Sequence, residues 1–215
     1  MDERIEILSI SHSQSGKLTV EVLVKNMSGS ERVEFSLLPK HSKALELSTG
    51  KISRELLCDI EYYSEVARAY NSAYSSFTYS PSSLRALKQK LYQKGFPRDV
   101  CNEAIELVES DGYVREGEIA TRRAQIFVEK MWGRGRIIAK LREEGFVSSA
   151  IEEADAYISN VDFEENCSIV IKKKYGAIPE DIHEREKMYA YLSRQGYLTA
   201  DIHKAVRLLV SEKQA

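Results

Sequence analysis

The side chains best suited to chemistry in this 215-residue chain are basic, and they cluster. Arg122, Arg123, Lys130, Arg134, Arg136, Lys140 and Arg142 fall between residues 120 and 142, with only Glu129, Glu143 and Glu144 in or beside the run. Lys172, Lys173 and Lys174 return about 50 residues after Arg122 and Arg123. Guanidinium and ammonium groups at this density attract phosphate, with an affinity that falls steeply with salt. They also suit acidic side chains on a protein surface. A solvated helix face with snorkelling basic stems fits the same residues, and both readings stand at this level. Trp132, the single tryptophan, adjoins Gly133, Arg134 and Gly135. It suits stacking on a base, anchoring a partner, or filling the core at a helix turn.

Nothing in the chain spells catalysis. His12, His41, His183 and His203 form no HExxH or other ligand spacing, so no metal site is expected. No GxxxxGK phosphate loop and no GxSxG elbow occurs. The pairs Glu152–Glu153 and Glu164–Glu165 adjoin polar positions and read as solvated faces. The expectation is no catalytic residue, no enzyme and no cofactor. A net charge of −2 makes the whole chain no polyanion binder, so a nucleic-acid role needs a local patch. Cys58, Cys101 and Cys167 are odd in number, far apart and outside any CxxC, which suits reduced thiols in the cytoplasm. No apolar run resembles a signal peptide or a membrane span, so no membrane partner is expected.

Two kinds of element must position these groups. In KLTVEVLVK (17–25), Leu18, Val20, Val22 and Val24 alternate with polar residues, the period of a half-buried strand. RIEILSI (4–10) and ERVEFSLL (31–38) alternate more loosely, separated from it by the turn-rich HSQSG and NMSGS. A three-stranded antiparallel meander follows, leaning on a helix. From Ser53 the period becomes helical. Nine helices are expected, at roughly 53–77 (with a candidate break near 60), 81–94, 97–109, 115–131, 133–144, 147–159, 163–175, 180–195 and 199–212. Pro81, Pro97 and Pro179 stand at predicted starts, and Gly95, Gly145 and Gly196 just after predicted ends. Tyr63, Tyr70 and Tyr74 share helical spacing on the first long helix and suit a packing stripe.

The helical part repeats itself. KLYQKGFPRDVCNEAIELV (90–108) returns as KLREEGFVSSAIEEADAYI (140–158) and again as YLSRQGYLTADIHKAVRLL (191–209). Leu87, Ile137 and Met188 correspond, as do Leu91, Leu141 and Leu192, then the three glycines and their following Phe96, Phe146 and Tyr197. Ala104, Ala154 and Ala205 close the pattern with Val108, Ile158 and Leu209. Each copy reads as two amphipathic helices joined by a glycine turn, preceded by a spacer helix in which Ile119 answers Ile169. The fold expected is mainly α, with three tandem three-helix repeats in an elongated curved array behind a small N-terminal β-meander. Boundaries fall at 1–50, 51–110, 111–160 and 161–215. Stacked units of this kind suit a large partner better than a metabolite.

These residues resemble the RecX family of bacterial regulatory proteins, modulators of the RecA recombinase. The likeness rests on SSLRALKQKLYQKGF (82–96), DGYVREGEIATRRA (111–124) and WGRGRIIAKLREEGF (132–146). Gly133, Ile137, Leu141 and Gly145 fit the family's G-x-x-I-x-x-x-L-x-x-x-G helix, and Ile119–Ala120 its Ile/Phe–Ala pair. It spans about residues 65–213. Ser80 and Ser82 stand where the family often carries a basic pair before the serine. The resemblance implies binding in the groove of the RecA–single-stranded DNA filament, and the chain is expected to be a monomer. It further implies inhibition of filament growth and strand exchange without catalysis, and a role in DNA repair, recombination and the SOS response. A module acting directly on single-stranded DNA and a helical-repeat scaffold remain the alternatives.

Overall fold

The computed structural model describes residues 4–13, 18–26 and 29–212. The residues at 14–17 and 27–28, in the turns anticipated between strands, lie outside it, as does 213–215. Among the described residues the chain runs β1 (Arg4–His12), β2 (Leu18–Asn26), β3 (Gly29–Leu37), α1 (Pro39–Ala44), β4 (Gly50–Ile52) and α2 (Arg54–Tyr79). Then follow α3 (Leu84–Gln93), α4 (Arg98–Ser110), α5 (Glu116–Glu129), α6 (Arg134–Glu143), α7 (Ser148–Ile158), α8 (Phe163–Tyr175), α9 (Ile182–Arg194) and α10 (Thr199–Glu212). Two compact units result. The first is Met1–Ser80 with Leu87–Val114, and the second is Pro81–Ala86 with Arg115–Ala215.

The first unit holds an antiparallel sheet in the order β3-β2-β1-β4. The meander is as the alternation predicts, and Leu18, Val20 and Val22 are fully buried. The structure adds a fourth strand and the six-residue α1, so the helices among the described residues number ten rather than the nine expected. β4 pairs Ile52 with Ile5 and Gly50 with Ile7, but three residues are too few to show a period. Leu57 and Ile60 of α2 join Ile5, Ile7, Leu18, Val20, Val22 and Leu37 in one core. That packing explains why α2 runs unbroken through residue 60.

Side chains set the helix boundaries. Ser53 accepts from the Leu56 N–H at 3.1 Å and starts α2. Helix α3 begins at Leu84 rather than at Pro81, because Ser83 accepts from the Ala86 N–H at 3.2 Å and acts as the cap. Helix α9 begins at Ile182 rather than beside Pro179, because the Asp181 carboxylate accepts from the Glu184 N–H at 2.9 Å. Of the three prolines expected at helix starts, Pro97 holds one, as the N-cap of α4; Pro39 opens α1.

The three repeat glycines share one conformation. Gly95, Gly145 and Gly196 have φ of 88°, 84° and 91°, a region open to glycine and costly to other residues. Each ends its helix with the same pair of bonds. The Gly95 N–H donates to the Tyr92 carbonyl at 2.9 Å and the Phe96 N–H to the Leu91 carbonyl at 3.3 Å. The Gly145–Phe146 and Gly196–Tyr197 turns repeat this onto Arg142, Leu141, Ser193 and Leu192. The aligned Leu87, Ile137, Met188, Leu91, Leu141 and Leu192 are all buried, as are the three aligned alanines. Helix α2 packs along α4, α5 along α7, and α8 along α10.

Tyrosine hydroxyls fix the first of these pairs. Tyr62 donates to Glu103 at 2.9 Å and Tyr70 to Asp111 at 2.6 Å, two turns further along both helices. Burial and the carboxylate partners raise both phenols above their usual range. Tyr63 packs against His41 at 4.4 Å between ring centres, whereas Tyr74 is exposed beside Tyr113. The expected tyrosine stripe therefore divides between polar clamps and ring contacts.

His41 is buried, with its Nε2 3.8 Å from Glu103 and its Nδ1 without a hydrogen-bond partner. Burial lowers its pKa; Glu103 opposes that and Lys40 adds to it. A base whose folded pKa lies below its unfolded value stabilises the fold above the unfolded value, near 6.5, and loses that contribution as pH falls below it. We expect the first unit to weaken on acidification from about pH 6.5, by at most about 1.4 kcal/mol per pH unit from this group. Urea unfolding at stepped pH checks this: His41→Leu flattens the dependence, and an unchanged slope in that variant refutes the assignment.

Candidate interaction surface

The basic run lies on α5, α6 and the turn between them, and most of its charges are already used. Arg123 of α5 binds Glu144 through two bonds, Nε to Oε2 at 3.0 Å and Nη2 to Oε1 at 2.6 Å. Arg134 binds Asp155 of α7 likewise, at 2.9 and 2.7 Å. These hydrogen bonds hold both guanidinium groups more firmly charged. Lys140 pairs with Glu143 at 2.9 Å. Arg136 donates to the Gln195 side chain and lies 3.7 Å from the Trp132 ring centre. Lys174 sits 3.3 Å above the Tyr191 ring. What remains is narrower than the sequence suggests. Arg122, Arg142 and Lys173 are exposed with no ion pair among the described residues, and Lys130 is exposed with its Nζ over the Phe127 ring, 5.8 Å from the ring centre. Lys172 is exposed on the same helix as Lys173.

The distinction is measurable. Exposure of the Arg123 side chain is 42%, which limits its pair to about 1 kcal/mol despite the forked geometry. Arg123→Ala is expected to lower the stability of the second unit by about that amount in urea. Arg142→Ala is expected to change it by less than about 0.5 kcal/mol. Equal losses in the two variants contradict this division of the charges.

Trp132 belongs to a joint in the second unit and is not a free platform. Phe127 stacks on it at 4.6 Å with an interplanar angle of 4°, and Arg136 lies over the ring. Its ring is therefore engaged by both an aromatic and a cation. Around it, backbone meets backbone. The Gly133 N–H donates to the Gln195 carbonyl at 2.8 Å and the Gly135 N–H to the Gly196 carbonyl at 2.9 Å. The Tyr197 hydroxyl donates to the Met131 carbonyl at 2.8 Å. Any Cβ at Gly133 would overlap the Gly196–Tyr197 peptide. Met131 itself has φ of 58°, a strained value for a side-chain-bearing residue, held by this bond and by the turn it closes.

The same arrangement occurs 50 residues earlier. Ser83, which aligns with Gly133, donates through Oγ to the Glu144 carbonyl at 2.7 Å, and Arg85 covers Gly145. Glu116, 8% exposed, accepts from the Leu84 N–H at 2.5 Å and the Val147 N–H at 3.4 Å, capping α3 and α7 together. Periodicity could not reveal this carboxylate, because it stands among apolar positions with no partner nearby in sequence.

A groove of roughly 360 Å³ runs between α6, α7 and the start of α10. Ile138, Ile151 and Leu198 line it together with Arg142 and Glu152. Among the described residues no three His, Cys, Asp or Glu side chains are placed to hold a metal, and no helix is long and apolar enough to cross a membrane. The three cysteines are free, and burial pushes the Cys167 thiol up to about 12.

No family model matches the chain. Among characterised proteins, it is 30% identical over 131 residues to the regulatory protein RecX of Halorhodospira halophila, spanning 60% of this chain and 79% of that one. It is 27% identical over 112 residues to the regulatory protein RecX of Pseudomonas savastanoi pv. phaseolicola, spanning 52% and 72%. Its fold is similar to the crystal structure of a regulatory protein RecX, with a TM-score of 0.73 at 15% identity over 94% of this chain and 98% of the other. RecX from Lactobacillus salivarius gives a TM-score of 0.59 at 16% identity over 67% and 96%.

Proposed function

Since the chain belongs to the RecX family of regulatory proteins, we propose that it regulates the RecA recombinase by binding the RecA–single-stranded DNA filament in its groove and limiting its activity. The observation that carries this is the likeness to a RecX protein at 30% identity over most of that protein's length. The joints support it. A glycine turn receives the start of an earlier helix at Gly145 and again at Gly196, which is how like units add in tandem. We read the helices as three such units, acting without catalysis and without a cofactor.

Within this reading the contacts fall to the charges that the fold leaves free. Arg122, Lys130, Arg142 and Lys173 are the groups available to phosphate or to carboxylates on the filament. Arg123, Arg134 and Lys140 serve the fold instead. The test is DNA-dependent ATP hydrolysis by the host's RecA, with the protein added before or after filament assembly. Hydrolysis is expected to fall, with the larger effect when the protein is present during assembly. Arg122→Ala combined with Arg142→Ala is expected to weaken the effect several-fold at unchanged stability. A folded wild-type protein that leaves hydrolysis unaltered at every ratio and in both orders rules the reading out.

A further inference from the structure

The first unit carries a second cationic site, assembled from segments too far apart to form a charge run. Arg68, Ser72 and Ser76 stand at i, i+4 and i+8 on α2, one stripe of one helix face. Lys94, directly after α3, reaches across to it. Its Nζ donates to Ser72 Oγ at 2.7 Å and to Ser76 Oγ at 3.3 Å. The Arg68 guanidinium lies 5.8 Å from the Phe96 ring centre, two residues beyond Lys94. Neither cation has a carboxylate within ion-pair reach among the described residues, unlike Arg123, Arg134 and Lys140.

The hydroxyls make the site more than two loose charges. Each accepts from the Lys94 ammonium, so its own proton points elsewhere. Helical serines in this chain commonly spend that proton on their own helix, as Ser110 does on the Leu107 carbonyl and Ser159 on the Asp155 carbonyl. Ser72 and Ser76 donate to no acceptor among the described residues. Their donors and the two cations are held together with no anion supplied by the fold.

The turn beside them is also open. Gly145 is covered by Arg85 and Gly196 by Arg136, the start of an earlier helix in each case. Among the described residues, and apart from the glycine and its chain neighbours, no heavy atom lies within 4 Å of the place where a Cβ on Gly95 would stand, and Lys94 and Gly95 are exposed. The chain thus repeats this turn three times and fills it twice.

We infer that Arg68, Ser72, Ser76 and Lys94 form a binding site for the phosphodiester backbone of a nucleic acid at the open Gly95 turn. The ammonium and guanidinium neutralise the phosphate, and the hydroxyls donate to its non-bridging oxygens. Convergence of neutral hydroxyl donors with two unpaired cations favours a phosphate over a single carboxylate, which has fewer acceptor positions to satisfy. The site goes beyond the RecA reading and does not depend on it.

The experiment is binding of a fluorescein-labelled oligothymidylate, without RecA, measured by anisotropy across a salt series. Lys94→Gln and Arg68→Gln are each expected to weaken binding and to reduce the log–log salt slope by about 0.7, the value for one phosphate contact on a single strand. Ser72→Ala with Ser76→Ala is expected to weaken binding about 3- to 10-fold at an unchanged slope, because no charge is lost. Lys94→Arg is expected to restore the slope, and Lys51→Gln, on an exposed part of β4, to leave both quantities alone. Wild-type affinity and slope in both Lys94→Gln and Arg68→Gln overturn the site, as does a wild-type protein that binds no oligonucleotide. Polyglutamate that competes with the oligonucleotide on the wild type but not on Lys94→Gln assigns the site to an acidic protein and overturns the phosphodiester assignment. Loss of the RecA effect with oligonucleotide binding intact bears on the regulatory reading alone.

Discussion

Gly196→Ala is expected to cost the second unit about 3–4 kcal/mol, about two to three times the cost of the same change at Gly95. The two glycines share a left-handed φ, 91° and 88°, so each alanine meets the same backbone strain of about 1–2 kcal/mol. They differ in surroundings. A Cβ on Gly196 would overlap the backbone of Arg136, while one on Gly95 meets nothing within 4 Å. Overpacking against backbone that cannot swing aside adds about 1–3 kcal/mol. Gly145→Ala falls between them, since its nearest neighbour is the Arg85 side chain, with Cδ at 2.8 Å, which can turn away. The expected order of loss is Gly95, then Gly145, then Gly196. Urea unfolding followed by Trp132 fluorescence reads the last directly, because Trp132 stacks within the joint that the substitution opens. Losses equal at Gly95 and Gly196 would mean that the close backbone approach contributes nothing.

That series also marks what the sequence could and could not say. The periodic apolar positions were legible because burial on a helix is a local pattern. Leu87, Ile137 and Met188 are buried as their spacing requires, and the glycines cap their helices as their place in the repeat requires. What fills a turn is not local. Nothing in the letters around Gly95 shows that it stands open while Gly145 and Gly196 are covered. The charges show the same divide. Arg123 and Arg134 each find their carboxylate 21 residues downstream on a following element, so the density of the basic run overstated the free charge. The site at Lys94 went unseen for the opposite reason, since its parts are two serines and two single cations from α2 and the Gly95 turn. An Arg-x-x-x-Ser-x-x-x-Ser stripe on α2 was the one available signal, weak without knowledge of what faces it.

Removing Glu116 is expected to produce a comparable loss by a different route. Its carboxylate is nearly closed off from solvent and joins two helix starts through the Leu84 and Val147 N–H groups. The N-terminal amides of a helix lack intrahelical acceptors and carry partial positive charge, so one negative group placed between two such ends serves both. Hydrogen bonds to a charged group contribute about 1.5–3 kcal/mol, and a donor left unmet in the interior costs about 1–3. The Val147 bond is long at 3.4 Å, so the shorter Leu84 bond at 2.5 Å is assigned most of the effect. Glu116→Ala is accordingly expected to destabilise the second unit by about 3 kcal/mol, and Glu116→Gln by about 1, since the amide oxygen still accepts one bond but carries no charge. Ser83→Ala removes the other side-chain cap of α3, whose hydroxyl bridges to the Glu144 carbonyl. Because both residues secure the same helix start, the double substitution is expected to lose more or less than the sum of the singles by at least about 0.5 kcal/mol. Strict additivity, together with a Glu116→Ala loss below about 1 kcal/mol, would show that α3 holds its place through apolar packing alone and that the carboxylate bridging two helix ends is incidental to the fold.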